Sequence, residues 1–208
     1  NDNASGVATV LAIARAATTQ QPRPRRSLLF VFVTAEESGL LGSAFFAQSP
    51  TVPLTQIAAN LNVDAIDFLG RTRDLIVIGD TKSSLGPQLA SLLKAEGMRI
   101  TPDEHPERGH FYRSDHFSLA KVGVPAISIE HGTDVVGRPA GWGAQQVEDY
   151  TNNRYHQPSD EYKPNLDLSG AVQLGDIVYR FARRLADTPT MPTWNANAEF
   201  RRTSTTQP

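Results

Sequence analysis

Cysteine is absent from the 208 residues. That excludes a disulfide framework, a thiolate nucleophile and cysteine-ligated zinc, so any metal must be held by His, Asp and Glu. Charge of one sign is missing as well. Twenty Lys and Arg stand against 22 Asp and Glu, for a formal net charge of −2, and the pI lies near 6.2. No global field draws such a chain to nucleic acid or anionic lipid. Long apolar runs are also lacking: the longest, Leu28 to Val33, falls far short of the roughly 20 residues that span a bilayer. The chain opens on Asn1 with no initiator Met and none of the charged and apolar regions of a secretory leader. The expectation is that the natural N-terminus lies upstream, which leaves the compartment open.

Hydrophobic residues make up 39% and charged residues 20%, the composition of a globular chain with one sizeable core. Val7, Val10, Leu11 and Ala14 recur at helical spacing and predict a helix from about Ala4 to Thr19. SLLFVFVT at 27–34 is an unbroken apolar, β-branched and aromatic run, the pattern of a central strand covered on both faces. SGLLGSAFFAQS reads as a helix, AANLNVDAI and DLIVIGD as strands, SLGPQLASLLKAEG as a helix, SDHFSLAKVG as a short helix and VPAISIEH as a strand. A polar loop lies around TPDEHPERGHFYR and a long Gly-, Asn- and Gln-rich loop follows the last strand. A final helix presents Leu174, Val178, Phe181 and Leu185. Alternating strands and helices predict an α/β fold, a three-layer αβα sandwich with a mostly parallel, mixed central sheet.

In open sheets of this kind the binding crevice lies beyond the carboxyl ends of the strands. Glu36 and Glu37 follow the first strand, Asp64 ends NVD, Glu130 and His131 close VPAISIEH, and Tyr155 and His156 sit in the long loop. Two adjacent carboxylates at a strand mouth repel one another unless a cation offsets them, and Ser38-Gly39 permits the turn that would aim both at one centre. One could bind metal while its neighbour accepts a proton from water. Each residue also has a plainer role: Glu36 and Glu37 as solvated loop acids, Asp2 as a helix cap, Asp64 as a turn residue, His156 as a surface imidazole. Arg23, Arg25 and Arg26, like the tail arginines Arg201 and Arg202, read as solvated basic turns. Phe111, Tyr112 and Trp142 could line a substrate pocket or pack in the core. Taken together, Asp, Glu, Asp and His form the ligand set of zinc or a related divalent ion.

The ordered blocks NDNASG, AEESGLLGS, NLNVDAI, RSDHFSLAKVGVPAIS and YHQPSDEY resemble the M28 family of zinc aminopeptidases, from residue 2 to about residue 185. The resemblance implies that Asp2 bridges two Zn2+ ions, that Glu37 and His156 bind one of them and Asp64 the other. It implies Glu36 as general base and Tyr155 as the phenol that steadies the oxyanion, with Asp115 in a supporting position rather than a ligand. The family's first metal ligand is a histidine on a strand upstream of the bridging aspartate, and that ligand is absent from this chain. None of His105, His110, His116 and His131 lies where it belongs. On this basis residues 1–187 form a metallopeptidase domain lacking its N-terminal strands, followed by an irregular tail, 188–208. The implied activity is hydrolysis of N-terminal residues from peptides, impaired in this shortened chain, with weak or single-metal binding and a sheet edge prone to association. A non-catalytic receptor-like homologue, or a glutaminyl cyclase or carboxypeptidase on the same scaffold, are the alternatives. Peptide is the expected partner, with no nucleic acid and no membrane span; secretion or a periplasmic location is expected from the family alone. Substrate preference and oligomeric state stay open.

Overall fold

The structure is a computed structural model and describes residues 1–103 and 105–201; Arg202 and the last residues of the tail lie outside the described residues. Four strands form one mixed sheet: β1 (Asn60–Asn62), β2 (Asp74–Ile78), β3 (Arg99–Thr101) and β4 (Ala126–His131), in the order β1-β4-β2-β3. β1 runs parallel to β4 and β2 parallel to β3, while β2 and β4 are antiparallel. Helices α1 (Ala4–Thr19), α3 (Leu85–Lys94) and α6 (Ser169–Asp187) cover one face; α2 (Leu41–Gln48) and α4 (His116–Lys121) cover the other. The three-layer α/β arrangement is therefore present.

Alternation along the strands builds the main core. Leu75 and Val77 of β2 and Ile127 and Ile129 of β4 point to one side, where they meet Leu85, Leu89 and Leu93 of α3 and Leu174, Val178, Phe181 and Leu185 of α6. The predicted face of α6 is thus the buried one. α1 has the predicted bounds but a different seat. It buries Ser5, Gly6, Thr9 and Ile13, whereas Val7 and Leu11 are 42% and 54% exposed. Small residues allow the close approach: a Cβ on Gly6 would stand 2.6 Å from the carbonyl oxygen of Asp64 and 2.8 Å from that of Val63. The first turn of α1 is thereby set directly against the chain leaving β1.

Residues 27–34 differ from expectation. No strand forms there, Leu29 and Phe32 are 52% and 47% exposed, and no backbone hydrogen bond joins residues 28–33 to another described segment. A cavity of about 710 Å³ separates this stretch from β1, with Val10, Phe30, Leu61 and Val63 among its walls. Apolar content favours a covered strand, but pairing needs a neighbouring edge at about 4.8 Å, and the cavity withholds it. Conversely, β3 and a helix α5 (Trp142–Asn153) form where loops were expected. α5 buries only Gly143, so its sequence carries little apolar periodicity to read. The irregular stretch after α6 packs back through Trp194 and Phe200 against Phe111.

Candidate metal centre

Three chain segments meet beside the end of β1. The first carries Asp2, just ahead of α1; its backbone N–H donates to Asp160 Oδ2 at 2.9 Å. The second is the turn after residue 34. Ala35 and Leu40 take positive φ values of 57° and 61°, and Gly39 one of 94°; the N–H groups of Gly39 and Leu40 both donate to the Glu36 carbonyl, at 3.0 and 2.8 Å. Left-handed backbone at two non-glycine residues is costly, on the order of 1–3 kcal/mol each. It turns the chain so that Glu36 and Glu37 both face the groups around Asp2. The third is the loop at 154–160, where His156 also has a positive φ, 57°.

Ligand atoms of Asp2, Glu37 and His156 lie within 4.8 Å of one another. His156 Nε2 is 2.7 Å from Glu37 Oε1 and 3.3 Å from Asp2 Oδ2. Among the described residues no Lys or Arg forms an ion pair with Asp2, Glu36, Glu37, Asp64 or Asp115. Two carboxylates and an imidazole that converge without a Lys or Arg partner among the described residues are a donor set that suits zinc or another divalent cation. Asp64 stands beside this trio rather than within it. Its Oδ2 accepts from Ser114 Oγ at 2.8 Å and its Oδ1 from the Ala65 N–H at 2.9 Å, yet its charge is felt by Asp2, Glu36 and Asp115.

The electrostatics show the crowding. Burial first, then the charges of Asp64, Glu37, Asp115 and Asp2, push the Glu36 carboxyl up to about 7. Burial also raises Asp2, helped by Asp64 and Glu37 and opposed by His156. The Tyr155 ring stacks on the His156 imidazole, centroids 3.7 Å apart, and burial with the nearby carboxylates raises its phenol.

The remaining histidines sit elsewhere. His105 and His110 pair with Glu107 and Asp103. His116 packs edge-on against Phe111 and burial lowers its imidazole to about 4, and His131 is buried under Gly170 at the start of α6. Phe111 is a core residue at 5% exposure, not a pocket wall. Asp160 was missed at sequence level: although it lies in the YHQPSDEY block, only the fold shows it holding the backbone at Asp2.

Comparison with known proteins gives a consistent picture. The family description "Peptidase family M28" matches residues 1–182. Leucine aminopeptidase 2 of Trichophyton rubrum is 30% identical over 92% of this chain and 40% of its own length. Leupeptin-inactivating enzyme 1 of Streptomyces exfoliatus is 26% identical over 92% of this chain and 43% of its own. Among solved structures, the aminopeptidase from Aneurinibacillus sp. strain AM-1 superposes with a TM-score of 0.63 at 23% identity, covering 92% of this chain and 40% of that one. A zinc aminopeptidase from Bacillus subtilis gives 0.58 at 18%, over 91% and 43%. The chain thus spans about 40% of the length of these curated relatives.

Proposed function

Because this chain belongs to peptidase family M28, we propose that it carries the metal centre of a zinc aminopeptidase that removes N-terminal residues from peptides. The observation that bears most weight is the convergence of Asp2, Glu37 and His156 within 4.8 Å, with Glu36 beside them and, among the described residues, no Lys or Arg paired with them. Asp2, Glu37 and His156 would hold one ion, and Asp64 with Asp2 would contribute to a second. Zinc held there would supply Lewis-acid chemistry, lowering the pKa of water and polarising a carbonyl.

The rest is work for the chain's own side chains. Glu36, adjacent to a ligand but free of the trio, accepts a proton from the attacking water at its carboxylate and delivers it to the departing amine. A carboxylate held next to the ion's ligands but outside them is placed to take a proton and give it back. Tyr155, stacked on His156, offers its hydroxyl to the oxygen on which negative charge develops. The free α-amine of the substrate is cationic, and the excess of carboxylates around the centre favours it, which directs cleavage to the amino end.

The test is zinc content by mass spectrometry together with hydrolysis of leucine 4-nitroanilide, with and without chelator. Bound zinc and chelator-sensitive turnover support the reading. Cleavage that persists after the metal has been stripped refutes it.

A further inference from the structure

Asp160 takes no part in the catalytic steps proposed above, yet it holds the backbone of one of their ligands. Its Oδ2 accepts from three donors: the Asp2 N–H at 2.9 Å, the Tyr150 hydroxyl at 3.1 Å and the Asn1 nitrogen at 2.5 Å. The side chain is 13% exposed, so water screens these bonds little, and hydrogen bonds onto an ionised acceptor are roughly twice as strong as neutral ones.

Asp160 belongs to a run of turns fastened to the end of α5. The N–H groups of Arg154 and Tyr155 both donate to the Tyr150 carbonyl at 2.9 Å, the Gln157 N–H to the Arg154 carbonyl at 2.9 Å, and the Asp160 N–H to the Gln157 carbonyl at 3.0 Å. Ser159 Oγ donates to the Asn153 carbonyl at 3.0 Å. Tyr150 adds a side-chain link, its ring lying against Tyr155 with centroids 6.1 Å apart. His156 sits in the same turns. One short segment therefore grips Asp2 twice: His156 Nε2 faces its carboxylate at 3.3 Å, and Asp160 holds its backbone.

The second grip matters for the placing of a ligand. Asp2 stands just ahead of α1, and N–H groups at a helix start have no acceptor within the helix. Its carboxylate also shares His156 with Glu37, a group of like charge. A backbone left loose there would let the two carboxylates separate, and an arriving cation would have to restore their place at a cost in ordering. We propose that Asp160 is a positioning residue of the metal centre: through the Asp2 N–H it fixes Asp2 relative to His156, so that the site binds its ion more tightly than the same ligands on an unpinned chain. The inference rests on the metal-centre reading above and gives Asp160 no contact with ion or substrate.

The experiment measures zinc affinity by calorimetry, and the ligand-field spectrum after cobalt(II) loading, for the parent chain, Asp160→Ala, Asp160→Asn, Asp2→Ala and the double variant Asp2→Ala/Asp160→Ala. Asp160→Ala should weaken zinc binding about 10- to 100-fold, the usual effect of removing a group that orients a ligand, and should change the cobalt spectrum, which reads coordination and not stability. Asp160→Asn keeps an oxygen where the three donors converge and should stay within about fivefold of the parent. With Asp2 already replaced, Asp160→Ala should weaken binding no further, because the ligand it places is gone; a general structural role would weaken both backgrounds alike. Equal losses in the two backgrounds overturn the inference. So does an Asp160→Ala chain that binds zinc as tightly as the parent, or an Asp160→Asn chain that loses as much as Asp160→Ala. Should Asp160→Ala fail to fold, Tyr150→Phe takes its place: loosening the carboxylate should weaken zinc binding about two- to tenfold with Asp2 present and not without it, and an equal effect in both backgrounds overturns the inference. If Asp2→Ala leaves zinc affinity unchanged, the metal-centre reading falls and the inference with it. If zinc binding depends on Asp2 and not on Asp160, that reading stands and the inference alone falls.

Discussion

Glu36 and Glu37 share a turn, yet among the described residues Glu37 and not Glu36 pairs with His156, and the proposed division into ligand and base rests on that difference. Replacing Glu36 by Gln removes the proton acceptor and keeps the shape. Zinc content should be unchanged while kcat falls about 10²- to 10⁴-fold, the usual contribution of a positioned acid–base group; equilibrium dialysis alongside the anilide assay checks both halves. Asp67 offers a separate test in the metal-free chain. Burial raises its carboxyl to about 6, with Arg154 opposing, so the folded state holds a proton that the unfolded chain gives up near pH 4. Its contribution to stability is complete below that pH and is lost as pH rises through about 6. Asp67→Asn should therefore gain on the parent across this window, by up to ~3 kcal/mol for a shift of about two units, measured by urea unfolding at pH 4 and pH 7.

α1 shows how an element can follow its predicted bounds and still turn a different face to the core. Its apolar spacing marks Val7 and Leu11, but contact with the Asp64 carbonyl at Gly6 sets the helix by its small residues instead. Gly6→Ala should push the first turn away from β1. We expect a loss of about 1–3 kcal/mol, as for overpacking, together with weaker zinc binding because Asp2 moves with the turn; unfolding midpoints and metal titration measure the two effects. Residues 27–34 make the converse point. A run as apolar as SLLFVFVT specifies burial, but a strand also needs an edge to bond, and here a cavity intervenes. Backbone amides of 28–33 should exchange hydrogen far faster than those of β2 and β4, since they have no backbone acceptor among the described residues; exchange protecting both groups equally would contradict this description.

The proposed metal centre draws on parts of the chain that are distant in sequence: the start of α1, the turn at 35–40 and the loop at 154–160. With no ion, their carboxylates repel; a bound cation would offset that repulsion and tie the three segments together. Zinc at 100 times its dissociation constant should then stabilise the fold by about 2.7 kcal/mol, a rise of roughly 5–10 °C in Tm for a chain of this size. His156→Ala should remove most of that rise, since Nε2 lies 3.3 Å from Asp2 and 2.7 Å from Glu37. Differential scanning calorimetry with and without zinc measures both.

Composition and local pattern determined a good deal without any coordinates. The absence of cysteine confined metal ligation to His, Asp and Glu, strand and helix periods specified the layered α/β architecture, and the amphipathic face of α6 was legible because helical spacing fixes which side chains share a side. Five ordered blocks pointed to the M28 family. The seat of α1, the unpaired state of residues 27–34 and the short strand β3 were decided only in three dimensions, where close approach and available edges override local preference. The same holds for the site. Sequence could nominate Asp2, Glu37, Asp64 and His156, but the distances that group three of them and set Asp64 alongside come from tertiary contacts. So does the bond from the Asp2 backbone to Asp160, because local pattern carries no record of a partner 158 residues away along the chain.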